Sequence, residues 1–281
     1  RFSELHKAPV FCFTFIAGGC DGKLAGRNDS KEIFMSDWLE GKVVENIHWT
    51  ESLFSLKIEA DVSPFKAGQF FSLALDIEGE RVARPYSCLS APHEKPLEFF
   101  FYTANGGVLS NAMYSLQSGD TILVKNPANG FFILDEVPQS RDLWMIGTGT
   151  GIAPFLSILK TDQPWDTYET VILVQGVRSQ SDMQYLDLIM ALRDKYGERF
   201  GFQGFISREQ VEGTMQGRIP AAIEDGSLEE AVNLKLDVAH SQVMLCGNPD
   251  MVKDSAELLK ARGFAKNLRR KPGQITAENY W

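Results

Sequence analysis

No stretch of this chain stays apolar for the ~18–20 residues that a membrane-crossing helix needs. Cysteine is scarce, with four in 281 residues (Cys12, Cys20, Cys88 and Cys246), and no two stand in the Cys-x-x-Cys spacing of a zinc, iron–sulfur or redox-disulfide site. Histidine is equally sparse, at four and unclustered, which argues against a metal site. Scattered cysteines also fit a reducing cytoplasm better than a disulfide scaffold. Positive charge is in deficit: 28 Lys and Arg face 37 Asp and Glu, a net −9. A nucleic acid is therefore a poor partner for the molecule as a whole.

The remaining composition is that of a globular protein long enough for two domains. The longest apolar run near the start covers residues 10–19 and is broken by Thr14. With Arg1 and Lys7 ahead of it, it has some features of a signal peptide, but its cleavage region is poor. Met35 reads better as the natural start. Residues 1–34 are then expected to be a disordered, vector-derived or translated upstream extension.

Two rhythms follow. Residues 43–49, 53–60, 69–77, 84–90, 97–104 and 121–126 read as short strands separated by turn signals such as Glu78-Gly79 and Gly119-Asp120. In the second of these, Phe54, Leu56 and Ile58 alternate with Ser55, Lys57 and Glu59, so one face is apolar. Six such strands without long helices between them predict a closed antiparallel barrel. After Asp135 and a linker around Pro138, continuous apolar strands (143–146, 170–177, 200–207, 242–246) alternate with helical stretches (152–160, 183–196). That alternation predicts a parallel α/β sheet.

Five groups of residues carry candidate chemistry. On a strand, Arg84 and Tyr86 of Arg84-Pro85-Tyr86-Ser87 share a face. The Arg can clamp a phosphate, the Tyr can lie on a flat ring, and Ser87 can offer a hydrogen bond. Singly they also read as a surface Arg, a half-buried Tyr and a turn Ser. Gly147-Thr148-Gly149-Thr150-Gly151 joins a strand to a helix start, a place that suits a pyrophosphate. It is not the Gly-x-Gly-x-x-Gly fingerprint, so an ordinary Rossmann domain is not implied. Cys246-Gly247-Asn248-Pro249 ends an apolar strand, where open α/β sheets bind ligands, and Asn248 and Pro249 suit the start of the next helix. Cys246 alone also reads as a small buried hydrophobe. Arg178, Arg208 (after Ser207) and Arg218 follow strands or open loops and can hold a phosphate, or be solvated surface charges. Finally, from Lys253 to Lys271 there are seven Lys and Arg against two acids (Asp254 and Glu257), a local +5 that can steer an acidic partner. The chain stops on Tyr280-Trp281, and terminal aromatics fray unless something packs on them.

Together these motifs resemble the bacterial ferredoxin (flavodoxin)–NADP reductases of the compact proteobacterial type. The resemblance runs from Met35 to Trp281. It rests on Met35-Ser-Asp-Trp38, Ala67-Gly-Gln-Phe70, Arg84-Pro-Tyr-Ser87, Gly130-Phe-Phe-Ile-Leu134, Gly147-Thr-Gly-Thr-Gly151, Val177-Arg178, Ser207-Arg208, Gly217-Arg-Ile-Pro220, Cys246-Gly-Asn-Pro249 and Glu278-Asn-Tyr-Trp281. It implies a six-stranded Greek-key β-barrel holding FAD (residues 35–134), then a Rossmann-like parallel α/β domain holding NADP(H) (135–281). By the same resemblance, Arg84 binds the FAD phosphate, Pro85 shares that strand, Tyr86 packs on the isoalloxazine and Ser87 lies near flavin N5. Phe100, Phe101, Tyr102 and Thr103, with Val108, Leu109 and Ser110, line the flavin and its pyrophosphate, although the family often has a basic residue where Val108 stands. Thr150 sits at the flavin–nicotinamide junction. Ser207, Arg208 and Arg218 recognise the 2′-phosphate of NADP, and Arg178, Asn248 and Asp254 complete the dinucleotide contacts. Cys246 approaches the nicotinamide, Glu278 is the nearby carboxylate, and Trp281 stacks on the FAD adenine beside Tyr280. The implied reaction passes hydride between NADPH and the flavin, and single electrons between the flavin and an acidic ferredoxin or flavodoxin docked near the basic segment. The expected protein is a cytoplasmic monomer. Two alternatives stand beside it: a reductase component feeding an oxygenase or haem partner, and a non-catalytic nucleotide-binding regulator.

Overall fold

The computed structural model describes residues 37–104 and 106–279, so the expectation for residues 1–34 lies outside them. The first half contains β1 (Trp38–His48), β2 (Leu53–Glu59), β3 (Phe70–Ile77), β4 (Glu80–Ser87), β5 (Leu97–Tyr102), the short helix α1 (Val108–Tyr114) and β6 (Thr121–Lys125). Every pairing is antiparallel, in the order β4-β3-β6-β1-β2-β5. The sheet curls until its edges meet. Cys88 bridges Phe99, and the Leu89 amide donates to the Glu98 carbonyl at 2.8 Å. This seam removes an exposed strand edge. The β3–β4 hairpin turns on Glu78 and Gly79, both at positive φ, as a two-residue loop of matching twist requires.

Alternation sets the barrel core. Phe54, Leu56 and Ile58 point inward beside Phe71, Leu73, Phe99, Phe101, Ile122 and Val124. Phe54 stacks on Phe101 at 4.9 Å, and Phe71 meets Phe99 edge-on at 6.1 Å. The opposite face of β2 is not uniformly wet: Ser55 is fully buried, because the second half of the chain covers it.

That second half comprises β7 (Asp142–Thr148), α2 (Ala153–Leu159), α3 (Gln163–Thr167), β8 (Thr170–Val177), α4 (Leu186–Tyr196), β9 (Phe200–Ile206), β10 (Met215–Gln216), α5 (Ile219–Glu224), α6 (Ser227–Ala231), β11 (Ser241–Gly247), α7 (Pro249–Ala261) and β12 (Ile275–Asn279). The strands are all parallel, in the order β10-β9-β8-β7-β11-β12. Successive residues serve opposite faces. Leu143 and Met145 pack with α2 and α4, while Trp144 and Ile146 pack with α5, α6 and α7. The first of these layers also takes in Leu53, Leu89 and Phe100 from the outside of the barrel, so one apolar core joins the two sheets. The expected linker around Pro138 is part of this joint: residues Leu134–Glu136 form one helical turn, and Leu134 and Val137 are buried in the shared core.

Candidate active site

The site lies where β4 and β5 of the barrel face the carboxyl ends of the parallel strands. On β4, Arg84 pairs with Leu73 and Tyr86 with Phe71, so their side chains share a face as alternation predicts. Arg84 is exposed, and its Nη1 donates to the Ala83 carbonyl at 2.7 Å. Tyr86 rests edge-on against Phe101 at 4.6 Å. Burial pushes its phenol up to about 12, with the Arg84 charge pulling the other way. Pro85 is exposed and Ser87 buried. On β5 the run divides by parity. Phe101 belongs to the barrel core, whereas Phe100 packs on the joint between the sheets. Thr103 is half-buried, its amide donating to the Ser52 carbonyl at 2.8 Å. Val108, Leu109 and Ser110 open α1: Val108 is exposed, Leu109 is buried, and the Ser110 hydroxyl accepts from the Ala104 amide at 3.1 Å.

The strand order reverses between β7 and β11, since β7 is followed by β8 on one side and flanked by β11 on the other. Ligands of open α/β sheets bind at such a point. Here the loops after the two strands interlock. The Thr148 hydroxyl accepts from the Asn248 amide at 2.9 Å. A Cβ on Gly151 would stand 2.7 Å from the Gly247 Cα and 2.8 Å from the Cys246 carbonyl oxygen, so only glycine lets the backbones touch. Gly149, at φ 56, faces the Tyr102 ring: a Cβ there would lie 3.1 Å from it. Tyr102 thus reaches from the barrel to the glycine loop. Burial and the Asp182 carboxylate push its phenol up, opposed by Arg178. Thr150 is buried in the short turn that follows.

Beyond β8 and β9 the main chain continues to pair. The Ser207 amide donates to the Val177 carbonyl at 3.1 Å and the Arg208 amide to the Arg178 carbonyl at 3.0 Å. These bonds set Arg178 and Arg208 side by side at the sheet end. The Gly217 amide donates to the Ile206 carbonyl at 3.2 Å, which brings the Arg218 start of α5 to the same rim. Ser207 and all three Arg are exposed. Asn248 caps α7, accepting from the amides of Asp250 (2.9 Å) and Met251 (3.3 Å). Asp254 is exposed on α7.

Cys246 is fully buried in the shared core, between Gly147 of β7 and Glu278 of β12 in the ladder. Glu278 is a polar group under strain of another kind. Its Oε2 is buried without a hydrogen-bond partner among the described residues, and burial pushes the carboxyl up to about 7. It lines a cleft of about 600 Å³ between β12 and the outer face of β3. Phe70, Ser72 and the loop at Asn129, Gly130 and Phe131 form one wall, and Asn267, Arg269 and Thr276 the other. Arg269 lies 4.0 Å over the Phe131 ring and pairs with Glu136 at 3.2 Å. Sequence reasoning did not find these cleft residues. The available signal was the Gly130-Phe131-Phe132 run itself; that Phe131 is exposed while Phe132, Ile133 and Leu134 are buried is visible only in the structure. Tyr280 and Trp281 lie outside the described residues.

The basic segment is less uniformly solvated than its composition predicts. Arg262 makes paired bonds of 2.9 and 3.0 Å to the buried Glu229, and Arg269 is held as above. Lys253, Lys260, Lys266, Arg270 and Lys271 remain exposed. Among the described residues no group of His, Cys, Asp and Glu can hold a metal ion, and no helix is long and apolar enough to cross a membrane.

The residues present suit a flavin and a dinucleotide: an exposed Arg on a barrel strand, glycine backbone at the sheet's switch point, a row of cations at its rim and a carboxyl with a buried oxygen. Comparison with known proteins agrees. Residues 42–133 match the oxidoreductase FAD-binding domain and residues 145–257 the oxidoreductase NAD-binding domain. The chain is 46% identical over 248 residues to the flavodoxin/ferredoxin–NADP reductase of Escherichia coli (strain K12), covering 88% of this chain and all of that protein. It is 47% identical to the Shigella flexneri protein of the same name, at the same coverage. Among solved structures, a ferredoxin NADP+ reductase from Neisseria gonorrhoeae with bound FAD and NADP is 34% identical. It superposes with a TM-score of 0.83 over 88% of this chain and 100% of its own.

Proposed function

Because this chain belongs to the flavodoxin/ferredoxin–NADP reductases, which are FAD-dependent oxidoreductases, we propose that it exchanges hydride with NADPH and single electrons with an acidic ferredoxin or flavodoxin. The observation that supports this most directly is the meeting of Tyr102 with Gly149. It brings a barrel strand and the glycine loop of the parallel sheet to one place, with Arg178, Ser207, Arg208 and Arg218 further along the same sheet end.

In this reading residues 35–134 form the flavin half and residues 135–281 the nicotinamide half. Arg84 takes the FAD phosphate, Tyr86 borders the isoalloxazine, and Ser87 lies toward N5. Phe100, Tyr102 and Thr103 line the flavin, and residues 108–110 its pyrophosphate. Phe101 contributes through the core that supports Tyr86. We assign the cleft beside Glu278 to the adenine end of FAD, where aromatic and cationic walls suit a purine and its phosphates, with Trp281 and Tyr280 as the residues that stack on the adenine. Bound FAD supplies the chemistry, accepting a hydride and releasing electrons one at a time.

The chain's own residues orient and select. Arg208 and Arg218, with Ser207, present the charge and hydroxyl that a 2′-phosphate needs and that NADH does not. Arg178 and Asn248 stand over the dinucleotide, with Asp254 farther along α7. Thr150 and Cys246 close the floor under the nicotinamide, Cys246 by its small buried bulk. Glu278, which burial pushes up to about 7, lies beside Cys246 in the β11–β12 ladder and borders the cleft assigned to the adenine end. The exposed Lys253, Lys260, Lys266, Arg270 and Lys271 form the landing face for the acidic carrier. We also propose a monomer working in the cytoplasm, in line with the scattered cysteines.

The test is reduction of the FAD-loaded protein by NADPH and by NADH, with Arg208→Ala and Arg218→Ala alongside. Strong preference for NADPH that each variant erodes supports the reading. An unchanged NADPH/NADH ratio in both variants removes the assigned role of these residues.

A further inference from the structure

One residue of the nicotinamide half is built into the flavin half. Tyr185 stands immediately before α4 in the left-handed region (φ 65, ψ 21), a conformation that is unfavourable for an aromatic side chain. The backbone adopts it while aiming the phenol across the joint at the outer face of the barrel. There a directed chain of hydrogen bonds is complete. The Trp49 indole N–H donates to the Ser55 hydroxyl (2.9 Å), that hydroxyl lies 2.6 Å from the Tyr185 oxygen, and Tyr185 donates to Glu98 Oε1 at 2.7 Å. With Ser55 donating to Tyr185, every hydrogen is used once and the chain ends on a carboxylate. The ring is held as well, at right angles to Phe100 (5.1 Å) and inclined to Trp49 (5.7 Å).

Both ends of this contact matter to the reaction. Glu98 lies at the barrel seam: its carbonyl accepts from the Leu89 amide at 2.8 Å, two residues past Ser87. On the other side, Tyr185 ends the loop that begins at Arg178. That loop is stiff. Ser179 and Asp182 cap each other in a box, and the Gln180 amide donates to Glu209, next to Arg208. Asp182 and Arg178 both act on Tyr102. A short, internally bonded strut thus runs from the dinucleotide cations to the strand beside the flavin.

We propose that Tyr185 is a positioning residue, which hangs the Arg178–Tyr185 strut on the barrel and so sets where NADPH presents its nicotinamide to the flavin. The proposal rests on the reading of Arg178 and of the flavin strand given above. Removing the hydroxyl alone leaves Ser55 and Glu98 each short of a partner, yet keeps the ring packing and the fold. Rate should suffer more than binding, because a small misplacement of reacting atoms is expensive in rate while the phosphate contacts stay intact.

The test uses the full-length, FAD-loaded protein and the variants Tyr185→Phe, Ser55→Ala and Glu98→Gln. For Tyr185→Phe, flavin reduction at saturating NADPH should slow by roughly ten- to a hundredfold, the upper figure being the cost of a misplacement of about 1 Å. The affinity for 2′,5′-ADP should stay within about twofold, and the flavin–nicotinamide charge-transfer absorbance should weaken. Ser55→Ala should follow in the same direction, and Glu98→Gln, which keeps an acceptor, should retain most of the wild-type rate. Amide hydrogen exchange of residues 178–185 in the flavin-free protein should quicken in Tyr185→Phe, a readout independent of turnover. Should Tyr185→Phe fail to fold, Ser55→Ala carries the same expectations. Normal reduction rate and charge-transfer absorbance in the folded variants, whatever their melting temperature, would overturn the proposal and leave Tyr185 a packing residue. Wild-type protein that binds FAD but is not reduced by NADPH would instead overturn the proposed function.

Discussion

Glu278→Gln should make the protein less sensitive to alkali. Glu278 Oε2 is buried without a partner among the described residues, and burial pushes the folded carboxyl up to about 7 against 4.5 for the ordinary group. A raised carboxyl favours folding only while it keeps its proton. Below pH 4.5 both folded and unfolded chains are protonated and Glu278 carries no penalty. As pH rises past that point the unfolded chain ionises first, so stability falls, and the loss is complete once the folded group ionises near 7. At about 1.4 kcal/mol for each pH unit between the two values, the full loss is on the order of 3 kcal/mol. Glutamine is nearly isosteric and does not ionise. Urea unfolding of flavin-free wild type and Glu278→Gln, compared from roughly pH 4 to pH 8.5, should therefore give curves that diverge by about that amount in favour of the variant. Parallel curves would refute the buried, unpartnered carboxyl. With FAD bound, the same group should leave its mark on turnover, as a step near neutral pH that is absent in the variant.

Other expectations follow from the same geometry. Gly151→Ala places a methyl 2.7 Å from the Gly247 Cα, where neither backbone can swing aside; stability should fall by roughly 2–3 kcal/mol in urea unfolding, and NADPH affinity with it. Arg262→Ala strands Glu229 in a pair that water partly reaches and should cost about 1–3 kcal/mol, whereas Arg270→Ala, at an exposed site, should leave the urea midpoint nearly unchanged. Electron transfer to a flavodoxin should slow in Arg270→Ala and lose part of its salt dependence, while ferricyanide reduction by NADPH stays as in wild type. Arg84→Ala should weaken FAD retention on a desalting column, with the apoprotein still folded, since the side chain is exposed and its one hydrogen bond among the described residues goes to its neighbour's carbonyl.

Much of the architecture was legible because burial follows period. Phe54, Leu56 and Ile58 alternate, and β2 forms as a barrel strand; residues 171–174 are continuously apolar, and β8 is covered on both faces. The parity of Arg84 and Tyr86 was readable for the same reason. Other features were hidden by physics that a local pattern does not carry. Ile275–Asn279 is a polar edge strand, with only Ile275 buried, and its ladder partner β11 lies about thirty residues back. Ser55 looks like a solvent-facing serine, and its burial depends on Tyr185, 130 residues later. Arg262 sits in a run of cations, yet its bonds to Glu229 make it a structural residue. Cys246 is wholly buried at the end of β11, as its alternative reading as a small hydrophobe expects. The cleft walls combine Phe70, Asn129 and Arg269, which no single motif contains.

The most direct test of the account is stopped-flow mixing of the yellow, FAD-loaded protein with NADPH or NADH, followed by a purified flavodoxin or ferredoxin. The account predicts rapid bleaching of the flavin by NADPH, much slower bleaching by NADH, and return of the colour as the carrier is reduced. A flavin bleached equally by the two nucleotides, or one that no acidic carrier reoxidises while an oxygenase component does, would contradict it.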